Sequence, residues 1–298
     1  MRIAFFGLPL AAIFLHRDGH DIVWAGICRR GSLGTRRLTQ LVGPQRVHLV
    51  PDLSVADECA ALELTSPELL VSWFWTKRLP PRVLGIAPGF GVHPSLLPRH
   101  RGPDPYFWAI DHGDDVTGVS AHTLGPEYDT GDVLGRRVAP IDPHWNAWQL
   151  ARALDRPSLQ LLREIVGAFA NGHPPVPKGQ DEALATQAME PSDDDLAVRW
   201  TWPSERIERR IRAAAPWPGA WTEIGGRFVT IVRATPTSNY PRTLAPGEAA
   251  VRPDGITVVR TGTDALELEM GRDEDDVELG RADFARIVRV ARSGECSE

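Results

Sequence analysis

The sequence predicts an α/β fold: a Rossmann-like domain on a mainly parallel twisted sheet, followed by a small C-terminal β-barrel of the OB type. Three observations predict it. The first half alternates short apolar runs with helical segments. Its most apolar run, ELLVSWFW at 68–75, does not alternate with polar residues, as expected of a strand buried on both faces of a parallel sheet. Beyond residue 200 the pattern becomes one helix and about five short alternating runs, the signature of a small barrel.

Residues 2–6 form an apolar run that ends at Gly7, a strand followed by a turn. Residues 9–17 suit a helix with proline in its first turn. Strands are expected at 21–27 and 47–50, and strands separated by helices imply right-handed βαβ units. The Gly7 turn lacks the GxGxxG spacing, so no dinucleotide site is expected. A helix is expected near 105–112, a strand at 117–124, a turn at 129–132, a strand at 133–138 and a long helix over 145–170. Residues 171–199 are rich in Pro, Gly and charge and read as a linker with extended segments. The expected organisation is therefore domain 1–170, linker 171–199 and domain 200–298. In the second domain, 204–214 reads as a helix capped by Ser204, and 227–233, 255–260 and 265–270 read as strands.

Composition narrows the function classes. The 298 residues are 42% hydrophobic and 24% charged, the balance of a globular protein. No apolar run approaches the length of about 18 residues that a membrane span needs. The apolar N-terminus has one basic residue, Arg2, ahead of it and no small-x-small cleavage site, so a buried strand and helix are expected there rather than a signal peptide. Cys28, Cys59 and Cys296 fit neither a disulfide framework nor a metal site, which points to free thiols, a cytoplasmic location and no metal. A net charge of −6 argues against a general nucleic-acid binder.

The chemistry concentrates around His93. It follows a strand-like run and precedes a proline-rich loop, and Asp129 sits in a turn 36 positions later. Loops at the carboxyl ends of strands line the ligand crevice of open α/β sheets, where a His and an Asp can form an acid–base pair. The wider pattern is more specific. HPSLLPRHRG at 93–102 and TGVSAHTLGPEYDTGDVL at 117–134 resemble the folate-dependent formyltransferase family. IRAAAPWPGA at 211–220, VRW at 198–200 and ADF at 282–284 resemble the C-terminal domain of its methionyl-tRNA formyltransferase branch, so the resemblance spans nearly the whole chain.

The resemblance implies formyl transfer from 10-formyltetrahydrofolate to a primary amine, either on an initiator tRNA or on a small molecule such as an amino sugar nucleotide, with no metal and no membrane partner. It makes His93 and Asp129 catalytic. Trp75, Thr76 and Lys77 would line one side of the pterin pocket, and the loop from Leu124 through Tyr128 to Asp129 the other. Leu97, Pro98 and Arg101 would belong to the loop beside folate and acceptor. One position departs: where the family pattern has asparagine, two residues before the histidine, this chain has Gly91. The asparagine donates to the oxyanion of acyl transfer, and losing one such donor costs about 2.7–4 kcal/mol. Three outcomes are open. Another donor replaces it (His122, His100, a backbone N–H near Gly91 or a water); the protein binds folate but is catalytically impaired; or it hydrolyses the donor or uses an unusual acceptor. The acceptor is equally open. From Glu205 to Glu298 there are 14 arginines, no lysines and 16 carboxylates, an unfavourable balance for gripping tRNA. The segment 29–45 is short for an acceptor-stem loop, although it keeps Arg29, Arg30, Arg36 and Arg37.

Overall fold

The structure, a computed structural model, describes residues 1–293; Cys296 lies outside them. The chain divides into two units. The first comprises residues 1–105, 116–140 and 152–189, and the second 106–115, 141–151 and those from 190 onward.

The first unit contains a seven-stranded sheet. Its elements run β1 (Arg2–Gly7), α1 (Pro9–Arg17), β2 (Asp21–Ile27), α2 (Thr35–Val42), β3 (Val47–Leu49), α3 (Ala56–Leu64), β4 (Leu69–Trp73), α4 (Pro81–Leu84) and β5 (Gly89–His93). β6 (Val116–Thr123), β7 (Val133–Pro140) and α6 (Ala147–Ala170), which enters this unit from residue 152, follow; α5 (Pro105–His112) belongs from residue 106 to the second unit. The strand order is β3-β2-β1-β4-β5-β6-β7. Neighbours from β3 to β5 pair in parallel, and β6 and β7 pair antiparallel. Ile3, Ala4, Phe5 and Phe6 are all inaccessible to solvent, which explains the run's unbroken apolar character. Gly7 is required by close approach: a Cβ there would lie 1.8 Å from the Trp73 carbonyl oxygen. On the α6 side, Trp73 Nε1 donates to Ser158 Oγ at 3.0 Å, tying β4 to the long helix. The segment read as a linker lies along this unit as far as Met189. Val133 and Lys178 exchange backbone hydrogen bonds, Arg101 N–H donates to the Thr186 carbonyl, and Ala188 N–H donates to the Arg101 carbonyl.

The second unit adds α7 (Asp193–Leu196), α8 (Ser204–Ala214) and β8 (Ala220–Ile224), then β9 (Arg227–Thr237), β10 (Ala249–Val251), β11 (Thr257–Arg260), β12 (Ala265–Asp273), β13 (Glu278–Gly280) and α9 (Arg281–Ser293). The strands form a curled antiparallel sheet in the order β10-β11-β12-β9-β8, with β13 on β12. Register shifts near Met270 disrupt the β9–β12 ladder, as bulges that bend strands do. One expectation is corrected. Ser204 is the first helical residue of α8, not its cap; Pro203 holds the capping position with ψ 147°, and no side chain caps the end. The extended backbone of Pro203 moves the boundary one residue earlier, and the Ser204 hydroxyl is buried without a partner. Among the described residues no helix is long and apolar enough to cross a membrane.

A buried ion cluster anchors α8. Arg206 and Arg210, one turn apart, both grip the Asp111 carboxylate through contacts of 2.5 to 3.0 Å, and that side chain is inaccessible to solvent. Trp202 packs under both guanidiniums, at 4.6 and 5.3 Å from its ring centre. Burial alone would raise the Asp111 pKa; the two arginines outweigh it and hold the carboxyl below its ordinary value. Removing one member of such a cluster strands the other charges. Asp111→Asn is therefore expected to destabilise the second unit by about 3–5 kcal/mol in denaturant unfolding. A loss below about 1 kcal/mol, the range of exposed ion pairs, would contradict the assignment.

Candidate active site

Side chains alternate along β5, so Gly89, Gly91 and His93 face one way and Phe90 and Val92 the other. Phe90 stacks on Phe169 of α6 at 5.9 Å, which assigns that face to the helix. On the opposite face the register sets His93 beside Ser120 and Gly91 beside His122 of β6, and Gly91 also beside Ser72 of β4. Ser72, Gly91, His93, Ser120 and His122 therefore share one surface of the sheet. At its centre stands the residue without a side chain. A Cβ on Gly91 would meet His122 Nε2 at 3.4 Å, Ser72 Cβ at 3.4 Å and Leu124 Cδ2 at 3.5 Å, ordinary contact distances. At Gly89 a Cβ would come within 2.8 Å of Leu124 Cδ1 and 2.9 Å of Leu70 Cβ.

Asp129 reaches this surface by a route that differs from the expected one. Because β6 runs antiparallel, its carboxyl end lies beside the start of β5, not at the crevice end of the parallel strands. The loop from 124 to 132 must double back over the face. Several contacts hold it there. Thr123 N–H donates to the Asp132 carbonyl at 2.9 Å. Gln180 Nε2 donates to the carbonyls of Asp129 and Gly131, both at 2.7 Å. Asp129 itself takes a left-handed backbone conformation, φ 54°, a strained choice that recurs at functional sites.

The Asp129 carboxylate is the centre of the site. Oδ2 accepts the Gly102 N–H at 2.8 Å and stands 3.3 Å from His93 Nδ1. Oδ1 stands 3.3 Å from His122 Nε2. Both imidazoles are buried, at 6% and 5% exposure. His93 Nε2 lies 2.7 Å from the His100 carbonyl, and because a carbonyl only accepts, that nitrogen carries a hydrogen and donates. Nδ1 then faces Asp129 as the group that can take up a proton. His122 Nδ1 lies 3.0 Å from the Thr123 carbonyl and donates by the same reasoning. Burial would raise the Asp129 pKa, but His93, His122 and the Gly102 N–H together hold it well below the usual carboxylate range. Burial pushes His93 below its ordinary value, with Asp129 and the His100 carbonyl opposing in part. The arrangement is an ionised carboxylate beside a neutral imidazole able to accept a proton, the parts of general base catalysis.

The other residues singled out in the sequence fall into two groups. Trp75, Thr76 and Lys77 follow β4, and across from them lies the 124–129 loop. Tyr128 Oη donates to the Thr76 carbonyl at 3.2 Å; Arg78 pairs with Glu127 at 2.9 Å and lies over the Tyr128 ring. Trp75 packs with Leu124 against an apolar cluster that includes Phe6, Trp24 and Leu79, and its buried Nε1 has no partner. Aromatic, apolar surroundings with an unsatisfied donor suit a flat heterocycle with acceptor atoms. In the second group, Leu97 is buried, and its carbonyl accepts from Arg136 at 2.5 Å; Pro98 follows it across a cis bond. The buried Arg101 guanidinium is fully engaged by Gln180 and Glu182, at 2.7 to 3.1 Å. It pins the loop after His93 to the segment 180–182 instead of facing outward. Sequence reasoning missed the Gly102 N–H, the His100 carbonyl and Gln180. Two are backbone groups without a side-chain signal, and Gln180 sits in a segment whose composition reads as linker.

With this geometry in view, the sequence matches the family model for formyl transferase over residues 51–166, and that for the formyl transferase C-terminal domain over 192–289. The methionyl-tRNA formyltransferase of Chloroflexus aurantiacus is 35% identical over 288 residues, covering 90% of this chain and 91% of that protein. The chain belongs to the formyl transferase family. Solved structures agree in fold. HypX from Aquifex aeolicus, in complex with tetrahydrofolic acid, superposes with a TM-score of 0.69 at 21% identity, over 99% of this chain and 48% of that one. The N-formyltransferase from Helicobacter canadensis, in complex with folinic acid and dTDP-3-aminofucose, gives 0.66 at 12% identity, over 89% and 98%.

Room at Gly91 has a measurable consequence. Gly91→Ala adds a methyl at ordinary contact distances on a strand, so stability should hold or rise by up to about 1 kcal/mol. Gly89→Ala should lose about 1–3 kcal/mol from overpacking. Thermal unfolding of the two variants separates these outcomes; equal destabilisation would mean the space over Gly91 is closed.

Proposed function

We propose that the protein transfers the formyl group of 10-formyltetrahydrofolate to a primary amine, with His93 and Asp129 as catalytic residues. The observation that carries this reading is the buried 3.3 Å approach of His93 Nδ1 to Asp129, in a chain of the formyl transferase family. The amine attacks the formyl carbon and must lose a proton. His93 accepts it, and the adjacent carboxylate stabilises the imidazolium that results. Trp75, Thr76, Lys77, Leu124 and Tyr128 hold the pterin ring between the two loops, with Trp75 Nε1 free to donate to it. Leu97, Pro98 and Arg101 shape the loop beside the reacting end, Arg101 acting through its clamp on Gln180 and Glu182.

Methionyl-tRNA is the acceptor favoured by relatives that match over nearly the whole chain. A small-molecule amine is favoured by a different observation. Several arginines of the second unit are taken up by its own carboxylates. Arg206 and Arg210 pair with Asp111, Arg212 with Glu208, Arg233 and Arg281 with Glu269, and Arg252 with Asp254 and Glu267. Such a surface offers little free positive charge to phosphates.

The test is absorbance-monitored conversion of 10-formyltetrahydrofolate to tetrahydrofolate. It is run with methionyl-tRNA, with a panel of amino sugar nucleotides, and without acceptor. Acceptor-dependent turnover is expected, and His93→Ala should lower it by about 10²–10⁴, the range of a general base. Turnover without any acceptor would indicate hydrolysis instead. Absence of turnover with tight tetrahydrofolate binding would make the protein a folate-binding homologue that has lost the chemistry.

A further inference from the structure

Acyl transfer needs a donor for the oxygen that turns anionic, and residue 91 supplies no side chain for it. The space such a side chain would enter is bordered by a polar atom. His122 Nε2 stands 3.4 Å from the position of a Cβ on residue 91, closer than any other polar group, and on the same sheet face as His93. Neighbouring atoms fix the ring. Its Nδ1 donates to the Thr123 carbonyl at 3.0 Å, and Nε2 faces the ionised Asp129 at 3.3 Å. Nε2 faces an oxygen that only accepts, which calls for a hydrogen on that nitrogen. The 3.3 Å approach to Asp129 is long for a charged hydrogen bond, which leaves the Nε2–H able to be shared with a second oxygen.

We propose that His122 is a further catalytic residue, its Nε2–H entering the space over Gly91 to hold the formyl oxygen as it becomes anionic. The inference rests on the formyl-transfer reading above. In the step it serves, the amine lone pair forms a bond to the formyl carbon and the C=O π pair moves onto oxygen, where His122 meets it. His93 takes the amine proton. The π bond then re-forms, the bond from carbon to the folate nitrogen breaks, and that nitrogen receives the proton from His93. Tetrahydrofolate and the formylated amine leave, with both histidines restored.

The experiment compares wild type, His122→Leu, His122→Gln, Gly91→Asn and the double variant Gly91→Asn/His122→Leu. It reads kcat and KM for the donor, and tetrahydrofolate binding by tryptophan fluorescence. His122→Leu should lower kcat by about 10²–10³ while tetrahydrofolate binding persists, because the lost contact forms only in the transition state. His122→Gln, which keeps a donor, should retain more activity than His122→Leu. Gly91→Asn should raise kcat at least about tenfold in the His122→Leu background, and by much less in wild type, since the two donors compete for one oxygen. Unchanged kcat in His122→Leu would overturn the proposal and leave formyl transfer standing. So would a loss that Gly91→Asn does not recover, or one that comes with lost folate binding in both His122 variants. A wild type that transfers no formyl group overturns both.

Discussion

A carboxylate taken out of water is stable only where donors surround it. At Asp129 the surrounding groups come from distant parts of the sequence: the Gly102 N–H beyond the loop that follows β5, His122 on β6, and His93 at the end of β5, which donates once it has taken up a proton. Much of the first unit arranges these meetings. The β5–β6 register puts the two imidazoles on one face. The doubled-back loop carries the carboxylate over them, and Gln180 holds that loop by two backbone carbonyls. The same Gln180 also accepts from Arg101, so the loop after His93 and the loop bearing Asp129 share one anchor.

This sharing explains why a segment with the composition of a linker is part of the site. Residues 178–188 add backbone hydrogen bonds to the loop after His93 and to Val133, next to the loop bearing Asp129, and bring Gln180 and Glu182 to the buried guanidinium of Arg101. Glu182 is exposed, yet its partner is almost wholly buried, so the pair acts as a fixing point at the edge of the site and not as a surface ornament.

Local signals made much of this molecule legible in the sequence. Apolar runs marked β1 and β4, a proline in the first turn marked α1, and helical spacing marked α6, because such signals act over a few residues. His93 and Asp129 were legible through the motifs around them. What was not legible depends on distance in sequence. The antiparallel direction of β6 is a pairing property, and without it the path of Asp129 is misjudged. The partners of Arg206 and Arg210 include Asp111, about a hundred positions away, so nothing near them in the sequence signals that this arginine-rich helix face is partly buried. Ser204 misled because residue type alone favours capping, whereas the rigid Pro203 before it decides where the helix begins. His122 was one of several candidate donors in the sequence; the β5–β6 register, a pairing property, is what sets it beside Gly91.

The central claim is that one ionised carboxylate orients both imidazoles. Long-range ¹H–¹⁵N spectra of the histidine rings at neutral pH, in wild type and Asp129→Asn, test it most directly. In wild type, His93 should show a fixed ring protonated at Nε2, and His122 should show a fixed ring with a hydrogen on Nε2, facing Asp129. In the variant both patterns should change, with His122 losing its Nε2 hydrogen. Ring patterns identical in the two proteins, or mobile tautomer mixtures on both rings in wild type, would show that Asp129 does not organise the site.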